Sequence, residues 1–169
     1  MRFAVRIPSA IVAVAAAFAV FAGPASASTF SGRCHLSGPI TPLPPITVVP
    51  RRGSHFDFSG TGACGGQSAT LSFVNASTLF DTCELGPDLP LTGTLTIGSD
   101  RYTVTIDLLR LALAGPFVIT TRRGGRGAGV ATFTPAGNQL TAVEDCLGAG
   151  VAHASLTASF STVKPLVSS

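Results

Sequence analysis

Three arginines stand close together in the segment TTRRGGRGAGVATF, and two more adjoin each other nearer the N-terminus. A guanidinium group is a planar fork of donors that matches the oxygens of phosphate and carboxylate groups. The candidate anion-binding residues are therefore Arg122, Arg123 and Arg126, together with Arg51 and Arg52. The partner predicted for such a set is an anionic cell-wall polymer or glycan, and the alternative is that the charges serve solubility alone.

The glycines of the same segment decide between a phosphate loop and a turn. A phosphate loop ends in Gly-Lys followed by Ser or Thr, which this segment lacks. A dinucleotide fingerprint needs a third glycine where this chain has Val130, and a helix after it. We therefore predict a hairpin in which residues 117–121 run out, residues 122–128 form the turn and residues 130–134 return.

Histidines are the candidate catalytic bases, but no motif supplies them with a nucleophile. The chain has no G-x-S-x-G elbow, and cysteines that pair in disulfides cannot attack a substrate. His55 and Asp57 would share one strand face as a base and its orienting carboxylate, whereas His35 and His153 have structural or surface positions. We predict that the protein is not an enzyme and that it has no catalytic residues. A small secreted hydrolase and an extracellular protease inhibitor are the two alternatives.

The N-terminal residues have the three parts of a secretory signal peptide. Two arginines precede an apolar run at residues 7–22. Ala-Ser-Ala at residues 25–27 fits the small-residue rule for cleavage. We predict a signal peptide over residues 1–27 and a single β domain over residues 28–169. The protein is then secreted, and either extracellular or associated with the cell wall.

Export also changes the charge balance of the chain. The 169 residues include 11 Lys and Arg and 8 Asp and Glu, and removing a signal peptide with two arginines leaves nine basic residues. A net charge of +1 does not supply the broad basic surface of nucleic-acid-binding proteins, so no nucleic acid is predicted as a partner. The apolar residues 108–119 are interrupted by Arg110 and Pro116, so no membrane span is expected in the mature form.

All four cysteines lie in the exported part, where an even number favours two disulfides. Their separations of 30, 19 and 63 residues match no common zinc finger. Three connectivities are possible, of which we favour Cys34 with Cys64 and Cys83 with Cys146. The first pair would tie the opening strand to the next long one, and the second would fasten residues 140–146 onto the middle of the sheet.

The spacing of the carboxylates matches no known cofactor or metal site. Three of them surround Cys83, namely Asp81, Glu84 and Asp88. They lack the spacing of a calcium-binding loop. Glu144 and Asp145 would point to opposite faces of a strand at residues 140–146, which argues against a paired-carboxylate glycosidase site. We predict no cofactor and no metal.

Short runs of alternating apolar and polar residues recur between Gly, Pro, Asn and Asp, as expected for β-strands. In the clearest two, Phe56, Phe58 and Cys64 share one face, and Tyr102 shares another with every second residue to Leu108. Further strands are predicted at residues 29–36, 46–49, 69–74, 78–85, 91–97, 117–121, 129–134, 140–146 and 151–160. About ten strands indicate an all-β domain, either an antiparallel two-sheet sandwich or a flattened barrel, Ig-like or jelly-roll-like.

Two features predict irregularities within this β domain. Five prolines fall within residues 38–50, where they cannot donate backbone hydrogen bonds, so this segment suits a sheet edge or a crossing between sheets. The apolar positions change parity at Leu108 and Leu109, which predicts a bulge.

The order of these features resembles that of a known group of proteins. CHLSGPITPLPPIT, then FSGTGACGG, a third Cys, RGAGVATFTP, a fourth Cys and a closing ASLTASFST are similar to small exported four-cysteine proteins of high-GC Gram-positive bacteria, the actinobacteria. The similarity covers most of the chain after residue 27. Because that group is largely uncharacterised, the resemblance implies a secreted β-sandwich and carries over no catalytic residue.

Overall fold

The computed structural model describes residues 27–49, 55–77, 82–83, 90–108, 114–137 and 139–169. The predictions that lie outside these residues concern the signal peptide up to residue 26, Arg51, Arg52, Arg110, the bulge at Leu109, most of the strand at residues 78–85 and the three carboxylates around Cys83.

Ten strands and one helix make up the described part of the chain. They are β1 (Thr29–Phe30), β2 (Arg33–Leu43), β3 (His55–Cys64), β4 (Gln67–Ser77), β5 (Leu91–Ile97), β6 (Asp100–Leu108), β7 (Ala114–Thr121), β8 (Arg126–Pro135), α1 (Gln139–Leu147), β9 (Ala154–Lys164) and β10 (Leu166–Val167). The eight strands from β2 to β9 pair antiparallel, each with the next along the chain, and β9 pairs back with β2 to close a barrel. β1 and β10 form a separate two-stranded sheet.

The all-β class, the antiparallel pairing and the number of strands are therefore confirmed. Of the two predicted arrangements the main sheet adopts the barrel, and its strands follow one another in chain order, without the crossings of a jelly-roll or Ig-like sandwich. Strand alternation alone does not distinguish these arrangements, because both bury one face of each strand. The pairing of β2 with β9 makes the difference, since it removes both edges of the sheet.

Alternation along each strand gives the barrel an apolar interior. Phe58 and Phe73 stack with ring centroids 5.8 Å apart, and Phe117 meets Phe160 edge to face at 6.0 Å. An eight-stranded barrel is just wide enough for side chains to fill, and each fully buried Phe contributes about 1.5–3 kcal/mol. The predicted inward faces are confirmed, because the buried residues include Phe56, Phe58, Cys64, Tyr102, Val104 and Ile106.

The proline-rich segment does not lie at a sheet edge. Pro39 and Pro42 belong to β2, which is paired on both sides. Pro39 is opposite Ser155 of β9, and Pro42 is opposite Phe56 of β3, beyond the last residue that β2 pairs with β9. A proline is tolerated where only one neighbouring strand needs its backbone, so the barrel accommodates both. The predicted strand at residues 46–49 is reduced to a single bridge between Ile46 and Val151.

The strand predicted at residues 140–146 is wrong, because this segment forms α1. The helix lies between β8 and β9 in the chain and outside the barrel, and none of the described strands pairs with this segment. Its carbonyl at Cys146 accepts a hydrogen bond from the Val48 amide at 3.2 Å, and the Gly148 amide donates to the carbonyl of Glu144 at 2.9 Å. Ala, Leu and Glu are good helix formers, and here that preference prevails over a short alternating pattern.

Both predicted disulfides are present, Cys34 with Cys64 and Cys83 with Cys146. Cys34 and Cys64 are directly opposite in the β2–β3 ladder, as expected for a bond between the opening strand and the next long one. The second disulfide does not fasten a strand to the middle of the sheet. It holds α1 against residues 82–83, whose Cys83 amide donates to the carbonyl of Thr47 at 3.2 Å.

Candidate functional site

Charge is separated along the axis of the barrel. We call the end at which β2, β4, β6 and β8 begin the basic end, and the end that carries α1 the helix end. Every Lys and Arg in the described part of the chain belongs to the basic end and is exposed: Arg33, Arg101, Arg122, Arg123, Arg126 and Lys164. The described Asp and Glu side chains lie toward the helix end, at Asp57, Asp107, Glu144 and Asp145, except for Asp100. A chain of nearly balanced charge therefore presents one basic surface.

The β7–β8 turn holds two of these arginines in a fixed position. The Thr121 amide donates to the carbonyl of Gly125 at 3.0 Å, and the Gly125 amide donates to Thr121 Oγ1 at 3.0 Å. The Gly124 amide donates to the carbonyl of Thr121 at 2.9 Å, with a φ of +93° that other residues adopt only under strain. Arg122 and Arg123 project from this turn into solvent.

The turn also packs closely against the C-terminal segment. A Cβ placed on Gly125 would overlap Cα of Leu166 and the carbonyl oxygen of Pro165. Leu166 is itself fully buried and belongs to β10. The contact is thus backbone against backbone, and it fixes the turn against β10.

The predicted hairpin is confirmed, with one correction to its turn. The turn comprises residues 122–125, and Arg126 is already the first residue of β8. Arg126 is therefore oriented by the sheet, whereas Arg122 and Arg123 are oriented by the turn.

A second strand adds a cation that the sequence prediction missed. Lys164 of β9 lies directly opposite Arg126, and the register then passes to Gly127 opposite Thr162. Val163 is left as the extra residue of a β-bulge and is 73% exposed. A Cβ on Gly124 would lie 3.7 Å from Lys164 Nζ, so the ammonium group extends over the turn. We call Arg122, Arg123, Arg126 and Lys164 the turn cluster.

The turn cluster breaks a rule of sheet stability. Like charges directly opposite each other on neighbouring strands are destabilising, and here Arg126 faces Lys164. The bulge beside this pair changes the direction of the strand, as bulges near functional sites do. Such a local conflict is expected where an anionic ligand compensates for it. Several cations on one small surface are an arrangement that can bind phosphate or carboxylate oxygens.

The proposed catalytic pair lies far from this cluster. His55 and Asp57 do share one face of β3, at the helix end, with His55 half-buried and Asp57 exposed. In the described ranges no three His, Cys, Asp or Glu side chains gather in a way that could hold a metal ion. His153 is exposed between α1 and β9.

The structure brings one histidine and one serine together that the sequence kept far apart. His35 Nδ1 of β2 is 2.7 Å from Ser159 Oγ of β9, its cross-strand partner. On the other side His35 is opposite Ala63 of β3. None of these neighbours carries a carboxylate to orient the imidazole, as a catalytic dyad would need. The pair is a polar contact on the outer face of the barrel.

Comparisons with protein-family models, with curated proteins and with solved structures found no match for this chain. The resemblance to exported four-cysteine proteins therefore stays a prediction. In the described part of the chain, no helix combines the length and the apolar character that crossing a membrane requires.

Proposed function

We propose that this protein is a secreted, non-catalytic binding module of the cell envelope or extracellular space, and that its basic end binds an anionic wall polymer or glycan. The observation that carries the proposal is the cross-strand pairing of Arg126 with Lys164 beside a turn that displays Arg122 and Arg123. Four cations on one small surface match a ligand with several negative groups better than a single anion.

The repulsion between Arg126 and Lys164 favours a site that becomes more stable when an anion binds. A cross-strand pair changes stability by about 0.2–1 kcal/mol, and for two cations that change is unfavourable. A phosphate or carboxylate between Arg126 and Lys164 replaces the repulsion with two attractive contacts. The backbone of the turn is already fixed by the hydrogen bonds of Thr121, so ligand binding has to order the exposed side chains but not the turn itself.

The concentration of cations at the basic end supports an anionic polymer outside the cell as the partner. A surface with one sign of charge steers oppositely charged partners toward itself, even when the net charge of the protein is small. The two disulfides and the predicted signal peptide favour an oxidising compartment, where anionic polymers of the envelope are exposed. The proposal includes no catalysis: the side chains that carry it are the four cations of the turn cluster.

Co-sedimentation with isolated cell walls over a salt series tests this function. We expect the wild type to bind at low salt and to be released as salt rises, because ion pairs with a polyanion displace bound counterions. The triple variant Arg122→Ser, Arg123→Ser, Arg126→Ser should bind about tenfold or more weakly, since each exposed ion pair contributes up to about 1 kcal/mol.

A control with the same change in net charge separates a site from general electrostatics. Ser59→Glu, Thr92→Glu and Ser155→Glu together lower the charge by as much as the triple variant, at exposed positions of β3, β5 and β9 away from the turn. This control should retain most of the binding. Absence of binding by the wild type at low salt, or equal binding by the wild type and the triple variant, would contradict the proposal.

A further inference from the structure

A groove runs along the outer face of the barrel beside the basic end. It is open to solvent, has a volume of about 680 Å³ and lies across β2, β3, β8 and β9. Residues that line it and matter here are Arg33, His35, Ala63, Ala128, Val130 and Ser159. The groove contains a cation and an imidazole that the turn cluster does not include.

The groove exists because small side chains meet there on four strands. In one row across the barrel, His35 lies between Ala63 and Ser159, and Val130 follows on β8. In the next row, Arg33 is opposite Ser161, which is opposite Ala128. The long side chains of Arg33 and His35 therefore stand between neighbours that do not cover them, and both are exposed.

The groove is continuous with the turn cluster. Ala128 is two residues from Arg126 along β8, and Arg33 is two strands away from Ala128. Strands lie about 4.8 Å apart and a two-residue step covers about 6.7 Å, so the Cα atoms of Arg33 and Arg126 are on the order of 12 Å apart. At that Cα separation, a chain with repeated anionic groups can contact the turn cluster and Arg33 at the same time while it lies along the groove.

We propose that the groove is a second subsite for the same ligand, so that one linear polyanion extends from the turn cluster into the groove and contacts Arg33. This inference rests on the proposed function and adds that the ligand is an extended chain. Ala63 and Ala128 allow its backbone to approach the sheet closely, and Val130, 53% exposed, forms an apolar wall for the neutral part of each repeat. Arg33 supplies the charge complementarity.

His35 stands in the groove beside Arg33, and its Nδ1 contacts Ser159 Oγ at 2.7 Å. The groups that face His35 are Ala63 and Thr61 on β3, Ser159, Thr157 and Ser161 on β9, and Arg33 and Ser37 on its own strand. Arg33 is the charged one among them.

The test compares a short and a long polyanion on the same variants. Tripolyphosphate fits the turn cluster alone, long-chain polyphosphate can extend into the groove, and polygalacturonate provides carboxylates in place of phosphates. For Arg33→Gln and for Ala63→Tyr, which fills the groove without a charge change, we expect long-chain affinity to fall about two- to fivefold. Tripolyphosphate affinity should stay within about twofold. Thermal unfolding checks that each variant folds.

A matched control makes the result specific to the groove. Arg101→Gln removes the same charge from the basic end, but from β6, four strands away from β2 around the barrel. It should weaken long-chain binding less than Arg33→Gln does.

The outcomes distinguish failure of the groove as a subsite from failure of the turn cluster as a binding site. Equal losses in Arg33→Gln and Arg101→Gln, or unchanged long-chain binding in Ala63→Tyr, would overturn the subsite while the turn cluster stands. If no probe binds the wild type at low salt, the proposed function fails and the subsite fails with it. Greater loss with polyphosphate than with polygalacturonate would identify phosphate as the anionic group, and the reverse would identify carboxylate.

Discussion

The two ends of the barrel are built differently, although the same eight strands run between them. At the basic end the connections are short: Gly65 and Gly66 join β3 to β4, residues 98–99 join β5 to β6, and residues 122–125 join β7 to β8. At the helix end a disulfide, α1 and the bridge between Ile46 and Val151 form a second layer. Short turns leave charged side chains exposed, whereas α1 and its disulfide add a layer outside the strands at the helix end.

Exposed side chains follow the same division. The helix end exposes the apolar residues Leu140, Val143 and Leu147 of α1, and the basic end exposes cations. The comparison teaches that net charge is a poor guide to the surface potential of this chain, since the charges are separated along the barrel axis. Variants that act on one end alone can test whether stability and recognition are separated in the same way.

Removing the helix-end disulfide should have the largest effect on stability. Cys83→Ala with Cys146→Ala opens a connection of 63 residues and should lower the free energy of unfolding by about 2–4 kcal/mol. Binding of wall polymer by the folded variant should stay within about twofold, because the disulfide is remote from the turn cluster. Urea unfolding and co-sedimentation measure the two effects. Loss of binding in the folded variant would mean that the ends are coupled.

Gly125→Ala should destabilise the basic end by about 1–3 kcal/mol. A methyl group there overlaps the backbone of Leu166 and Pro165, so the turn must move away from β10. Polymer binding should weaken as well, because Arg122 and Arg123 lose their fixed position. Urea unfolding gives the stability change, with Gly148→Ala at the helix end as the matched glycine control. A fully stable variant with normal binding would show that this packing is dispensable.

Lys164→Gln should change stability and binding in opposite directions. Without the ammonium group, Arg126 no longer faces a like charge, so the free energy of unfolding should rise by about 0.2–1 kcal/mol. Polymer affinity should fall about two- to fivefold through the loss of one ion pair. Differential scanning calorimetry and a binding titration on one preparation measure both. A decrease in stability would contradict the repulsion inferred at the bulge.

The smallest effect is expected from Val143→Gln on α1. This side chain is 57% exposed at the helix end, and surface substitutions of this kind change stability by about 0.5 kcal/mol or less. Wall binding should equal that of the wild type. A clear loss of binding would indicate that the apolar face of α1 also contacts the polymer, and the contrast between the two ends would then be weaker than the structure indicates.

Local pattern predicted much of this molecule, and long-range pairing accounts for what it missed. Alternation predicted the inward faces of β3 and β6, and of the three possible cysteine connectivities the favoured one is present. Lys164 was missed because a bulge at Val163 brings it opposite Arg126, and no sequence period marks a bulge. His35 and Ser159 are 124 residues apart, so their contact depends on the ladder that closes the barrel. The error at α1 came from a short run that fits two structures equally well.

Closure of the barrel also sets an order of events in folding. β2 and β9 are the most distant pair in sequence among the eight strands, and a contact of such high sequence separation costs the most chain entropy to form. The β7–β8 hairpin, with its arginines, can form early from neighbouring residues. The groove at Arg33 has walls from both β2 and β9, so it exists only after the seam has closed. A chain that has not finished folding can thus display the arginine turn, but only the completed barrel presents the groove.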